Sequence, residues 1–165
     1  MKQKILHYAK ELIFVLIFMS IVANLLSLYK SQELNDKPLR YKEFHLIDNS
    51  DYKVENDKPL LVHFWATWCP TCKLEADNID RLSNYYNVIT IAVNSGSDYE
   101  INNYLKEHDL NFKVVNDKNS DYSKEFNIGA FPTTLIYDQD KNLVFSEVGY
   151  TSTLGLYIRL LWASL

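Results

Sequence analysis

The feature that most constrains this chain is a pair of cysteines placed where a buried strand gives way to a helix. The continuous apolar run Leu60–Trp65 predicts a strand that is covered on both faces. Cys69 and Cys72, the only two cysteines, follow within a few residues, in the stretch LVHFWATWCPTCKLE. Pro70 favours a helix start between them, because its missing N–H needs no partner in the first turn. Both thiols are therefore expected at the N-terminal end of a helix.

Three explanations account for two thiols this close together. A structural disulfide would stabilise the fold only slightly, because its effect grows with the loop it closes and this loop is very short. A structural zinc site usually needs four protein ligands, and no second cysteine pair exists. The histidines show no paired spacing that would favour zinc or copper; they are His7, His45, His63 and His108. Redox chemistry is the leading explanation.

The position of the cysteines also predicts their roles. Unpaired N–H groups and the macrodipole at a helix start favour negative charge, so Cys69 should lose its proton readily. Cys69 should then attack a substrate disulfide, and the more shielded Cys72 should resolve the mixed disulfide by attacking Cys69. The same steps in reverse oxidise a substrate dithiol.

Length and charge restrict the remaining possibilities. A chain of 165 residues with 47% hydrophobic and 23% charged residues fits one globular domain with a short appendage. A second catalytic domain does not fit. The formal net charge of -4 and the lack of a basic cluster in the predicted domain argue against a nucleic-acid partner.

The appendage is an apolar N-terminal segment, Leu12–Tyr29, which contains no charged residue. It is long enough to span a bilayer, and lysines precede it while charges of both signs follow it. We therefore expect a single-pass anchor in the cytoplasmic (inner) membrane, with the N-terminus in the cytoplasm and the domain in the periplasm or outside. A cleaved signal peptide and a buried core helix are the alternatives. The predicted organisation is an anchor over residues 1–30, a tether over 31–42 and a folded domain over 43–165.

The pattern along the domain predicts an α/β fold. Helices are expected after Pro70, with an apolar stripe of Leu74, Ile79, Leu82 and Tyr86, and at the end of the chain, with Leu154, Ile158, Leu161 and Leu165 on one side. The other predicted elements are strands at Phe44–Asp48, Leu60–Trp65, Val88–Val93 and Phe112–Val115, a helix at Tyr99–His108, a helical turn at Asp121–Phe126, and a hairpin of TTLIYD and LVFSEV.

The segment WATWCPTC between a strand and a helix, followed by FPTT before a late strand, resembles the thioredoxin fold over Phe44–Leu165. The closer likeness is to the membrane-anchored, exported TlpA-like thioredoxins, which include the ResA and CcmG/DsbE cytochrome c maturation types and the copper-sensitivity suppressor D group. Three features carry it: Glu75 three places after the second cysteine, a long stretch from Asn94 to Pro132, and the ending GYTSTLGLYIRLLWA.

This resemblance implies a central mixed sheet flanked by helices and a thiol-disulfide oxidoreductase that needs no cofactor or metal. It also implies a cis peptide between Phe131 and Pro132 that faces the cysteines, beside which the backbone pairs with an extended substrate. The catalytic residues are then Cys69, Cys72 and Glu75, and the expected substrate-binding residues are Trp68, Pro70, Thr71, Phe131, Pro132 and Thr133.

Two residues have open alternatives. Glu75 is either a carboxylate that influences the proton of Cys72, one helical turn away, or a solvated helix charge. His63 stands where thioredoxin has a buried aspartate, so it either assists proton transfer or is a hydrogen-bonded core residue, and the latter is favoured. Trp65 is expected in the core, and Trp68 at the rim on which substrates rest.

The expected partners are protein thiols or disulfides, the membrane, and a membrane-embedded partner that supplies electrons. An oxidising compartment would otherwise hold the pair as a disulfide. The alternative function is a copper-binding or copper-delivery module of thioredoxin fold. Such modules carry a longer spacing between their cysteines, and the spacing here favours the oxidoreductase.

Overall fold

The computed structural model describes residues 37–165 and, before them, residues 8, 10–15, 17–19 and 21–22. The described residues of this N-terminal part are helical, and most of their side chains are exposed. No helix among the described residues is both long enough and apolar enough to cross a bilayer. Much of the predicted anchor at Leu12–Tyr29 and part of the tether at 31–42 lie outside the described residues, and both stay predictions.

A five-stranded mixed sheet forms the centre of the domain, with strand order β5-β4-β3-β6-β7. β3 is parallel to β4 and antiparallel to β6, and all its residues are buried, which confirms the predicted central strand. A small antiparallel hairpin of β1 and β2 lies outside this sheet. The strands are β1 Glu43–His45, β2 Asp51–Lys53, β3 Leu60–Trp65, β4 Asn87–Val93, β5 Val114–Asp117, β6 Thr133–Tyr137 and β7 Leu143–Val148.

Helices cover both faces of the sheet, as an α/β domain with a central mixed sheet requires. They are α1 Pro70–Ser83, α2 Asp98–Glu107, α3 Asp121–Glu125 and α4 Thr153–Ala163. The buried residues of α1, α2 and α4 belong to one hydrophobic cluster, whereas Phe126 after α3 belongs to the cluster on the other face. The alternating side chains of β3 supply both clusters, with Leu61 on one and Val62 on the other.

Several predicted boundaries differ from the structure. The expected strand Phe44–Asp48 ends early, because the chain turns at Asp48–Ser50 and returns as β2, a strand that was not predicted. The strand expected at Phe112–Val115 begins and ends two residues later, as β5. The helices after Pro70 and at the end of the chain are confirmed.

The apolar stripes predicted for these two helices are partly wrong. The buried face of α1 contains Ile79 and Leu82 as expected, but Leu74 is 73% exposed. Its place facing the sheet is taken by Cys72, Glu75 and Ala76. In α4 the predicted stripe lies outward, and the buried residues are Leu156, Leu160 and Ala163. α4 is apolar on both sides, so the spacing of its leucines could not distinguish inside from outside.

Asp117, at the end of β5, fixes the start of α3. Its buried carboxylate accepts hydrogen bonds from the backbone N–H groups of Tyr122 at 3.1 Å and Ser123 at 2.8 Å. The N-cap residue Ser120 is in the left-handed region and makes no side-chain cap. Asp117 therefore replaces the usual cap, and two N–H groups at the helix start depend on it.

We predict that Asp117→Ala destabilises the domain by about 2–3 kcal/mol, because two N–H groups lose a charged acceptor in a buried environment. Urea unfolding followed by circular dichroism measures this loss. Asp121→Ala is the matched control: its side chain is exposed in the first turn of the same helix, and its loss should cost less than about 1 kcal/mol. Equal losses for the two variants would contradict the capping role of Asp117.

Candidate active site

Cys69 is the N-cap of α1. Its backbone is extended, with φ -91° and ψ 113°, and Pro70 occupies the first turn as predicted. The Cys69 Sγ accepts a hydrogen bond from the backbone N–H of Cys72 at 3.1 Å. One of the unpaired N–H groups at the helix start therefore points at this sulfur, and such a donor favours a thiolate there once the pair is reduced.

The two cysteines form a disulfide, with their Cα atoms 5.3 Å apart. Both are buried, Cys72 more deeply than Cys69, at 2% against 6% exposure. Cys72 faces the same side of α1 as Glu75, Ala76 and Ile79. Cys69 is thus the slightly more exposed of the two residues, and the attacking and resolving roles stay predictions.

The loop before β6 contains the cis peptide between Phe131 and Pro132. Phe131 packs against the hydrophobic cluster to which both cysteines belong. Trp68, which precedes Cys69, contacts this loop and the end of β4. Its ring meets the Phe131 ring edge-on at 5.8 Å between centroids, and its Nε1 donates to the Asn94 carbonyl at 3.1 Å. Trp68 is 60% exposed, so a broad aromatic surface borders the disulfide.

The other residues predicted to touch substrate are placed differently from one another. Pro70 and Thr71 are exposed at the helix start. Pro132 is buried, and its carbonyl accepts from the N–H of Gly149 at 2.8 Å. Thr133 is fully buried and donates its hydroxyl to the Ala130 carbonyl, so its side chain stabilises the loop from within. The structure thus packs Phe131 against Trp68, the residue before Cys69, and leaves the Thr133 side chain off the surface. That these residues bind substrate stays a prediction.

Glu75 is a fully buried carboxyl group one turn after Cys72. Its Oε1 accepts from the backbone N–H of Thr151 at 2.9 Å, whereas its Oε2 is buried without a partner. Burial raises its pKa from the ordinary 4.5 to about 8, the Thr151 hydrogen bond opposes this rise, and the nearby charge of Glu147 adds to it. Glu75 is not a solvated helix charge; at neutral pH it is mostly protonated beside the disulfide.

The loop that receives Glu75 is also fixed by Asn78, one turn further along α1. The Asn78 side chain donates to the Thr151 carbonyl at 3.1 Å and accepts from the Thr153 hydroxyl at 2.7 Å. The contact between Asn78 and Thr151 was not predictable from the sequence, since the two residues lie 73 positions apart. The sequence does show that Asn78 lies three residues after Glu75, and this spacing places the two side chains on one face of the helix.

His63 and Trp65 are core residues of β3. The Nδ1 of His63 lies 2.9 Å from the Thr134 hydroxyl, and burial lowers the pKa of the imidazole to about 3. A histidine that stays neutral at every working pH fits the favoured core interpretation. Trp65 is buried as expected and donates its Nε1 to the Thr90 hydroxyl at 3.1 Å. Among the described residues, no group of three or more His, Cys, Asp or Glu side chains is arranged to hold a metal ion.

The fold and this cysteine site agree with the comparison to known families. The family model described as Redoxin matches residues 31–155, so the chain belongs to the Redoxin family. A thioredoxin-like protein of Haemophilus influenzae is 32% identical over 111 residues, 67% of this chain and 66% of that protein. The thiol-disulfide oxidoreductase ResA of Oceanobacillus iheyensis is 33% identical over 94 residues, 53% of this chain and 49% of that protein. The chain therefore spans between half and just under two thirds of these relatives.

Solved structures confirm the thioredoxin-type fold. The pneumococcal exposed lipoprotein thioredoxin Etrx1 of Streptococcus pneumoniae superposes with a TM-score of 0.65 at 21% identity, covering 73% of this chain and 97% of that one. A secreted disulfide oxidoreductase of Mycobacterium tuberculosis gives a TM-score of 0.63 at 20% identity, covering 73% and 94%. The central mixed sheet flanked by helices is thus the thioredoxin-type fold that these structures share.

The pKa of Glu75 makes stability depend on pH. Because folding raises this pKa, the contribution of Glu75 to stability is complete below about pH 4.5 and is lost as the pH rises to about 8. Glu75→Gln stays neutral throughout. We expect the oxidised wild-type protein to lose about 4–5 kcal/mol relative to Glu75→Gln over this range, measured by urea unfolding at several pH values. Asp77→Asn, an exposed position on α1, should follow the wild type. Parallel curves for wild type and Glu75→Gln would show that the carboxyl does not titrate in this range.

Proposed function

We propose that this chain is an exported, membrane-anchored thiol-disulfide oxidoreductase that exchanges disulfides with extracytoplasmic proteins through its Cys-Pro-Thr-Cys site. The observation that carries the proposal is the Cys69–Cys72 disulfide at the start of α1, with the Cys69 sulfur hydrogen-bonded to the N–H of Cys72. Curated relatives named thiol-disulfide oxidoreductase ResA, and a sporulation thiol-disulfide oxidoreductase of Bacillus subtilis, support the same chemistry.

In the reducing direction, the Cys69 thiolate attacks one sulfur of a substrate disulfide. That bond breaks, a mixed disulfide joins Cys69 to the substrate, and the other substrate sulfur leaves as a thiolate. The Cys72 thiolate then attacks the Cys69 sulfur and releases the second substrate thiolate. Two electrons have passed to the substrate, and the protein is left with the disulfide seen in the structure. In the oxidising direction a substrate thiolate attacks Cys69 and every step is reversed.

Glu75 serves the second step as a proton carrier. Cys72 must lose its proton before it can attack Cys69, and it is shielded from water at 2% exposure. The Glu75 carboxyl lies on the same buried face of α1, with one oxygen that no other group occupies. When ionised it can accept the proton of Cys72, and its raised pKa of about 8 brings it close to the ordinary pKa of a thiol.

Substrate proteins meet the site on the aromatic surface of Trp68 and Phe131, with the backbone beside Pro132 pairing with an extended segment. Pro70 and Thr71 are exposed at the helix start and complete this surface. The segment Leu12–Tyr29 anchors the chain in the cytoplasmic membrane, and the domain faces the periplasm or the outside. A membrane-embedded partner supplies or removes the electrons. The resemblance of the sequence around Glu75 to the cytochrome c maturation thioredoxins suggests that pathway as one setting.

Trapping of substrates distinguishes the two cysteines. We predict that Cys72→Ser accumulates long-lived mixed disulfides through Cys69, because the resolving thiol is gone while the attacking thiol remains. Non-reducing gels of the membrane fraction after rapid alkylation measure the trapped species. Cys69→Ser is the matched control and should trap far fewer. Equal trapping by both variants would overturn the assignment of roles.

A further inference from the structure

The outward side of α4 is an apolar surface that the domain leaves uncovered. Leu154, Ile158, Leu161 and Trp162 are between 45% and 69% exposed, and Leu165 follows them after the helix ends. The one charged residue of α4, Arg159, pairs with Glu147 at 2.6 Å and donates to the Gly155 carbonyl. A helix that is apolar around its whole circumference is ordinarily covered on every side.

The turn between β6 and β7 shows which end of the domain this surface reaches. The backbone N–H of Leu39, where the chain enters the domain, donates to the Lys141 carbonyl at 2.9 Å. On the same turn, the Gln139 side chain donates to the Ser164 carbonyl at the C-terminal end of α4, at 2.8 Å. The entry of the tether and the end of α4 are therefore neighbours.

The cysteines lie at the opposite end of the sheet. β6 begins beside Pro132 and ends at Tyr137, next to the turn, and Tyr137 pairs with Leu60 at the start of β3. Cys69 comes after β3 has ended. A partner or surface that binds the C-terminal end of α4 would thus leave the cysteines accessible.

Aromatic side chains border the apolar surface at this end. Tyr86, which precedes β4, lies edge-on to Tyr157 of α4 at 6.0 Å, and the adjacent Tyr85 is 85% exposed. Trp162, on the same helix as Tyr157, is 69% exposed. Aromatic rings that carry a polar group favour the boundary between lipid and water. Charged residues of both signs lie at this end. They include Asp57, Lys58 and Lys113, which line one cavity with Ser164, together with Glu55, Asp138 and Lys141.

The size of the surface argues for lipid rather than a second copy. α4 has 11 residues and is about 16 Å long, so one side of it falls well short of the ~800 Å² per partner that a stable interface buries. A membrane surface needs no complementary shape. The residues between the predicted anchor and Leu39 can reach at most about 30 Å, which holds the domain close enough for a weak contact to persist.

We propose that the C-terminal end of α4, with Ile158, Leu161, Trp162 and Leu165, rests on the phospholipid interface of the membrane to which the chain is anchored. The inference rests on the proposed anchor, since the short tether brings this end of the domain to the lipid. The contact directs the Cys69–Cys72 pair away from the bilayer, toward substrates in the surrounding compartment. Because the contact is apolar, it does not require anionic lipid.

Tryptophan fluorescence tests this placement. The chain has three tryptophans, Trp65 in the core, Trp68 at the redox site and Trp162 on α4. The full chain is reconstituted in phosphatidylcholine vesicles whose acyl chains carry bromine or do not. We expect bromine to quench most of the Trp162 emission. The quenched part should be absent in Trp162→Phe and present in Trp68→Phe.

A double variant, Ile158→Asp with Leu161→Asp, should restore the Trp162 emission, because both side chains are exposed and contribute to the lipid contact rather than to the core. Tyr99→Asp is the matched control, an exposed aromatic residue on α2, and should leave the quenching unchanged. Flotation of the vesicles reports the anchor separately, and insulin reduction in the same sample reports the redox function.

Three results would overturn the inference. Chains that float with the vesicles while Trp162 stays unquenched would retain the anchor and exclude the lipid contact. The Trp162 emission could instead stay unquenched by brominated lipid and change when the protein dimerises in detergent. That result would assign the surface to a second copy of the chain. Chains that do not float would remove both the anchor and the contact, and would leave the redox proposal to be decided by insulin reduction alone.

Discussion

The interaction on which the site depends is the hydrogen bond from the Cys72 N–H to the Cys69 sulfur at the start of α1. It exists because β3, buried on both faces, leads within a few residues to a helix whose first turn contains Pro70. The helix start supplies unpaired N–H groups, and one of them meets the Cys69 sulfur, where it favours negative charge. Without this junction of strand and helix the two cysteines would be ordinary thiols.

The same helix connects the redox pair to the last part of the chain. Glu75 and Asn78, on successive turns of α1, both bind the loop that leads into α4. The Oε2 of Glu75 remains buried without a hydrogen-bond partner. These contacts hold the Glu75 carboxyl in place. α4 extends from this loop to the opposite end of the domain, where the tether enters.

The sequence predicted the parts of the structure that depend on local patterns. The buried run of β3, the helix start at Pro70 and the positions of both cysteines follow from residue type and spacing. The cis peptide before Pro132 was predicted from the family resemblance and is confirmed, whereas the residues alone do not distinguish a cis from a trans peptide bond. The burial of Glu75 and its contact with Thr151 were out of reach, since they depend on how two distant segments pack. α4 misled the prediction because apolar residues occupy both its inner and its outer side.

The central claim is that Cys69 and Cys72 form a reversible redox couple, and an equilibrium titration against glutathione tests it most directly. The thiols are trapped by alkylation and counted by mass, with metal content measured in parallel. The account predicts one two-electron transition per chain between dithiol and disulfide, abolished by Cys69→Ser, in a protein without bound copper. The account would be contradicted if the two thiols stayed in one redox state at every glutathione ratio and the chain bound copper through this pair.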